Sequence, residues 1–326
     1  MKTASPAEPA AVAPPVEAAT PARLVRWLPV AVWAAGTVAT VVVLGIPYTR
    51  DWVFLWVLLG TLAFSLGDVD RWARGVVLDW LPFFAVMTLY DLARGGADGW
   101  LSATYYLPQA DADAWLFGGT LPTVWLQDHL HDPGRVQWFE AAAFLVYVSY
   151  FFVAPLLAAW LWMRDRWRFR RFAAALVLLT LLGCVTFVVF PAAPPWLGSR
   201  EGVIEPTTRL MGELWAWSGI EPTEGVVGAG YRYANDVAAV PSLHAALALL
   251  VVLFAWPRRL WARLLAATYP LAMAFATVYT AEHYVVDALL GWIYAVASFV
   301  AIRRLAVWLG RRRAEGRSTI MRAASR

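Results

Sequence analysis

In AAVPSLHAA, residues 238–246, a serine and a histidine stand two positions apart at the mouth of an apolar run. Pro241 suits the first turn of a helix, where a missing N–H costs nothing. Ser242 and His244 are then expected beside the unpaired N–H groups and the positive dipole end of a helix, an arrangement that binds anions. The same residues also fit a serine-assisted helix start with an interfacial histidine. In YTAEHYVVDALLGW, residues 279–292, His283 and Asp287 are spaced i, i+4 and share a helical face. Asp287 can accept the imidazole Nδ1–H, orienting a histidine that reacts through its other nitrogen, as the third member of a hydrolase triad does. A carboxylate one turn inside an apolar helix is costly unless paired, so a His–Asp tie between helices is the bland alternative. The two histidines are 39 residues apart: one span, a turn at WPRRLWAR, and one span back. Both constellations therefore emerge on one face. One histidine attacking and a second protonating the leaving oxygen are the parts of an in-line displacement at phosphorus. That set requires no metal and no cofactor.

The elements that must position these residues are membrane helices. Of 326 residues, 60% are hydrophobic and 15% charged, which excludes an ordinary soluble domain. Apolar runs near span length fall at about 24–46, 52–67, 76–93, 138–162, 172–190, 241–256, 261–281 and 284–305. The expected fold is an all-α polytopic membrane bundle of about six to eight transmembrane helices. With the N-terminus inside, 21 of the 27 basic residues lie on the cytoplasmic side, including the RDRWRFRR run at 164–171. The excess of arginine favours a multi-pass plasma (cytoplasmic) membrane protein with both termini cytoplasmic. The Arg-rich tail reads as an anchor to anionic lipid and not as a nucleic-acid site.

Residues 1–22, rich in Ala and Pro, are expected to be a disordered leader, residues 23–306 the membrane domain, and 307–326 a basic cytoplasmic tail. The lone Cys184 allows no intramolecular disulfide. The segments about 94–137 and 191–240 fall outside, and all four histidines lie on that face. Within QDHLHDPG, Asp128, His129, His131 and Asp132 offer a weak zinc-like pattern, with a polar loop as the better fit. A transporter or scramblase with His and Asp along its path is a further alternative, although no inverted repeat is visible.

PSLH at 241–244 resembles the second signature of the type 2 phosphatidic acid phosphatase (PAP2) superfamily, and His283 with Asp287 resembles the core of its third. FPAAPPWL at 190–197, YTAEHYVVD at 279–287 and DWLPFFAVMTLYDLARG at 79–95 are similar to motifs of its Aur1-type inositol phosphorylceramide synthase branch. The resemblance implies a PAP2-like catalytic core with His283 as nucleophile, Asp287 as its orienter, His244 as general acid and then base, and Ser242 as phosphate ligand. It departs from the phosphatase members in carrying Thr277 where they place an arginine, and in lacking their lysine-led first signature. Arg232 and Arg94 are the candidate phosphate-binding cations. The implied activity is transfer of a phosphate-containing head group from a membrane phospholipid to a lipid alcohol through a phosphohistidine, at the extracytoplasmic face. The alternative is a lipid phosphate phosphatase. The head group, the acceptor and the oligomeric state are not legible in the sequence.

Overall fold

The computed structural model describes residues 21–45, 49–95, 103–219 and 235–324. Among them there is no strand beyond two isolated bridges at Ala192, and the regular elements are all helices. Helices α1 (Pro21–Leu44), α2 (Arg50–Ser65), α3 (Val69–Gly75) and α4 (Leu81–Gly95) lead in, with a π-helical turn at Val76–Trp80 joining α3 to α4. Short helices α5 (Leu107–Leu116) and α6 (Pro122–Leu130) precede the long α7 (Trp138–Arg164) and α8 (Arg166–Val189). Short α9 (Pro195–Arg200) and α10 (Leu210–Ser218) follow, then α11 (Leu243–Ala255), α12 (Leu260–Tyr279) and α13 (Val285–Ala324).

Local chemistry sets the boundaries. Gln137 and Glu140 form a reciprocal capping box at the start of α7. Asp165, extended in backbone, splits α7 from α8 and accepts the N–H groups of Trp167 and Arg168. The core gathers where α4, α7, α8 and α11 meet, around Trp80, Leu161, Phe169, Phe172, Leu179 and Leu250, all nearly inaccessible.

Among the described residues, four helices are long and apolar enough to cross a membrane: Val69–Leu92, Trp138–Arg164, Arg166–Val189 and Val285–Arg312. Trp27–Val43, Asp51–Ser65 and Leu243–Ala255 are shorter apolar helices. Each expected span contains a helix, but three boundaries differ from the sequence reading. The third begins at Val69, because the π-turn continues the helix where a break was expected. The sixth, α11, has 13 residues and reaches only ~20 Å at 1.5 Å per residue, short of a ~30 Å hydrocarbon layer. Its apolar sides face other helices, so it is a core element. The last helix runs past residue 306 into the expected tail. Residues 1–20 of the expected leader lie outside the described residues, while Pro21 and Ala22 already belong to α1.

The bundle has two chemically distinct ends. At one, the starts of α7, α11 and α13 meet the ends of α8 and α12, covered by α5, α6, α9 and α10. At the other lies the arginine run, where Arg168 donates to the Phe254 carbonyl at the end of α11 (2.7 Å).

Candidate active site

Ser242 is the N-cap of α11: its hydroxyl accepts the Ala245 N–H at 3.3 Å, and the residue is fully buried. Pro241 therefore precedes the cap and is not in the first helical turn as expected; Leu243 opens the helix. The Ser242 N–H donates to the Asp287 backbone carbonyl at 2.9 Å, tying the start of α11 to that of α13. The helices approach so closely here that a Cβ on Gly291 would collide with the Ser242 carbonyl oxygen.

His283 lies on the tight turn that returns the chain from α12 to α13. Ala281 adopts a left-handed backbone (φ 63°), and the N–H groups of Glu282 and His283 both donate to the Thr277 carbonyl, at 3.0 and 3.1 Å. The Thr277 hydroxyl turns back on its own helix, to the Met273 carbonyl, and supplies no positive charge in place of an arginine. Asp287 is wholly buried; its Oδ2 accepts the Tyr284 N–H at 2.9 Å and lies 3.5 Å from His283 Nδ1. That second distance is at the outer edge of hydrogen bonding, of the kind that tightens when a substrate seats. The other oxygen, Oδ1, has no hydrogen-bond partner among the described residues.

A second carboxylate, unforeseen in the sequence, completes the start of α13. Asp113 of α5, fully buried, accepts the Val285 and Val286 N–H groups at 2.8 Å each, so a residue 172 positions away caps the helix that carries Asp287. Burial pushes its pKa up to about 6; the two N–H groups act against the rise, and the nearby Asp287 charge adds to it.

The His244 ring faces His283 with centroids 5.6 Å apart and planes at 59°. Two tyrosines of α7 hold it there: Tyr147 stacks on it at 4.7 Å and Tyr150 lies tilted at 4.2 Å. The sequence-distant pair is thus brought together, and His244, His283, Asp287 and Ser242 form one cluster. A bound group between the rings would be within reach of both.

The covering layer is built on this cluster. The proline stretch after α8 runs extended, with the Ala193 N–H donating to the Tyr105 carbonyl and the Ala239 N–H to the Ala192 carbonyl. A buried amide pins it, Gln109 donating to the Tyr105 and Ala193 carbonyls, and a second, Gln127, ties the layer to the end of α12 through the Thr208 and Tyr279 carbonyls, each at 2.8–2.9 Å. The Trp196 N–H donates to the Ala281 carbonyl, so the proline-tryptophan stretch forms a wall against the His283 turn. Arg209 makes a two-pronged ion pair with Glu282, Nε to Oε1 at 2.8 Å and Nη2 to Oε2 at 3.3 Å, and its guanidinium lies 4.3 Å over the Trp196 ring.

The remaining sequence candidates fall elsewhere. Arg232 lies outside the described residues, and Arg94 lies in α4 without a described side chain. His129 stacks on Trp125 and contacts its carbonyl, whereas His131 donates to Glu140, which also accepts from Tyr279. The two histidines point to separate partners, and among the described residues no group of three His, Cys, Asp or Glu side chains is gathered as a metal would need. Asp113, Tyr147, Tyr150 and Arg209 went unforeseen. Tyrosines three apart in an apolar helix are a faint hint of a polar-faced contact; Asp113 and Arg209 carry no local signal.

Comparison with known proteins shows what the chain is similar to. A stretch of 152 residues is 30% identical to the phosphoinositol dihydroceramide synthase of Bacteroides thetaiotaomicron, covering 43% of this chain and 50% of that one. Another of 180 residues is 27% identical to the inositol phosphorylceramide synthase catalytic subunit aur1 of Schizosaccharomyces pombe, covering 53% and 39%. The inositol phosphorylceramide synthase of Candida albicans is 29% identical over 136 residues, 40% of this chain and 28% of that one. The chain thus spans half or less of the length of these curated relatives, and no solved structure gives a significant match. The PAP2 superfamily model matches residues 119–301, more than half of the chain and the whole of the histidine cluster, and the chain belongs to that superfamily.

Proposed function

We propose that the protein is a membrane phosphotransferase that moves a phosphate-containing head group from a phospholipid to a lipid alcohol. The observation that carries the reading is the meeting of His244 and His283, 5.6 Å apart by ring centroid, with Asp287 behind His283. The names of the relatives suggest an inositol-phosphate head group and a ceramide-like acceptor.

In the first step His283 Nε2 attacks phosphorus in line with the lipid oxygen. A P–N bond forms, the P–O bond to the lipid breaks, and His244 gives its proton to the departing oxygen. Asp287, at Nδ1, fixes the tautomer that leaves Nε2 free and stabilises the positive charge on the ring. In the second step His244 takes the proton of the acceptor hydroxyl, whose oxygen attacks phosphorus and displaces His283. Ser242, whose hydroxyl accepts from the helix and keeps its own proton to donate, supports the equatorial oxygens together with the α11 N–H groups. One such donor contributes ~3–4 kcal/mol to the barrier. Arg232 and Arg94 remain the cations proposed from sequence.

Transfer requires that water be kept from the P–N intermediate. The covering layer of α5, α6, α9 and α10, and the 6% exposure of His283, favour transfer over hydrolysis. The arginine run at the opposite end of the bundle supports an extracytoplasmic site in a plasma membrane, with both termini cytoplasmic.

The test is a mass-spectrometric product assay on detergent-purified protein, given phosphatidylinositol or phosphatidic acid with and without lipid alcohols, beside His283→Ala. A head-group-bearing lipid formed only with acceptor and intact His283 supports the transferase. Free phosphate released from phosphatidic acid regardless of acceptor would make it a phosphatase.

A further inference from the structure

Phosphoryl transfer needs a positive group on the phosphate oxygens, and Thr277 leaves the usual place for one empty of charge. Arg209 is bonded to the turn that carries His283. Its guanidinium grips both oxygens of Glu282, the residue before His283, and the Glu282 and His283 N–H groups share the Thr277 carbonyl. Trp196, over which the guanidinium lies, is itself fastened to Ala281 on the same turn. Tyr147, the ring stacked on His244, is near enough to act on the Arg209 charge. Burial would lower the Arg209 pKa, but Glu282, with smaller help from Tyr147 and Asp236, holds it above the ordinary arginine value. The carboxylate is the inner partner, 10% exposed, and the guanidinium the outer one at 47%. A planar fork presented to a carboxylate in two-point geometry matches two phosphate oxygens equally well.

We propose that Arg209 is the phosphate-binding guanidinium of this site, held on Glu282 in the substrate-free protein and passed to the phosphate oxygens when a phospholipid head group enters. The inference rests on the phosphotransfer reading and adds a residue to it. Glu282 keeps the fork charged and aimed beside His283, and an entering phosphate competes with it for the same N–H groups. The relation between the two partners is therefore asymmetric: loss of Arg209 removes a substrate contact, whereas loss of the Glu282 charge removes a competitor. A salt bridge that merely stiffens the turn would be symmetric.

The experiment uses the full chain in detergent with two readouts. Orthovanadate, a phosphate mimic, is titrated against wild type, Arg209→Ala, Arg209→Lys and Glu282→Gln by calorimetry. Head-group transfer by the same proteins gives kcat and KM. Arg209→Ala is expected to weaken vanadate binding on the order of 10- to 100-fold and kcat/KM on the order of 100- to 1000-fold, Arg209→Lys to recover part of both, and Glu282→Gln to bind vanadate as tightly as wild type or more so. Equal losses in Arg209→Ala and Glu282→Gln would overturn the proposal in favour of a structural tie, as would wild-type behaviour of Arg209→Ala. A wild type that does not bind vanadate would also overturn it, because the seat is claimed to stand in the substrate-free protein. Absence of any His283-dependent turnover, with the vanadate asymmetry intact, would instead remove the transferase reading and leave the Arg209 site.

Discussion

Asp79 and Asp287 are both buried aspartates in the apolar bundle, one at each end, and they are satisfied to very different degrees. Asp79, presented by the π-turn, accepts from Trp162 (3.0 Å), Arg166 (2.7 Å) and Arg170 (2.8 Å), and the Arg166 guanidinium also lies 3.7 Å over the Trp162 ring. Gly75 leaves room for that guanidinium, since a Cβ there would collide with it. Both oxygens of Asp79 are saturated by fixed donors, and nothing remains for a reaction. Asp287 has a backbone N–H, a long contact to one imidazole, and an oxygen without a partner. A carboxylate of that kind is tolerated where catalysis needs its charge held against a histidine. Chemistry is marked here by incomplete satisfaction.

The contrast can be broken in order of expected effect. His283→Ala should lower transfer on the order of 10^4-fold or more with the fold retained, measured as initial rate on detergent-purified protein beside a thermal melt. Asp287→Asn should cost ~10^3-fold in kcat, because the amide can donate where Nδ1–H must be accepted and so favours the wrong tautomer. If Asp287 were a structural tie like Asp79, the loss would appear in melting temperature and spare kcat.

Asp79→Asn should show the opposite pattern. It leaves two guanidinium groups without their charge partner, at a cost of about 2–3 kcal/mol, below that of a fully buried pair because Arg166 and Arg170 are 33% and 53% exposed. The unfolding temperature should fall while kcat of the remaining folded protein is unchanged.

Asp113 gives a pH test between these extremes. Its folded pKa, about 6, stands above the 3.8 of an ordinary aspartate, so the folded state holds the proton more tightly than the unfolded chain. Its contribution to stability is fully present below about 3.8 and is lost as pH rises through about 6. The difference in stability between wild type and Asp113→Asn should therefore shift against wild type across that window, on the order of 2 kcal/mol, read from melts at pH 4 to 7. A flat difference would mean that the two α13 N–H groups offset the burial. Gly291→Ala should also cost ~3 kcal/mol of stability or more, because its Cβ would meet backbone and push Ser242 away from Asp287, and it should lower transfer without touching either histidine.

Much of this was legible before folding. The pairing of His283 with Asp287 was legible from their spacing, although His283 lies on the turn before α13 and not on the shared helical face expected, and the return path from His244 follows from two apolar runs and a basic turn. That the proline stretch must leave the helix is likewise local, because proline cannot continue one. The start of α11 was misplaced by two residues, since Pro241 and Ser242 both suit a helix beginning and only the backbone distinguishes them. The sixth run was read as a span from hydropathy, which reports apolar surroundings without saying whether lipid or protein provides them. In α11 it is protein: Ala245, Ala246, Ala248 and Leu250 are buried against neighbouring helices.

The sequence by itself determined the apolar bundle and singled out His244 and His283 as the candidate pair, because each depends on hydropathy, charge bias or residue spacing within one or two neighbouring segments. Only the tertiary structure decided who supports that pair. Asp113 meets Val285 across 172 positions, Arg209 meets Glu282 across 73, and Tyr147 meets His244 across a helix packing. Such contacts are set by how the covering loops close over the bundle, and no local pattern of residue types encodes that closure.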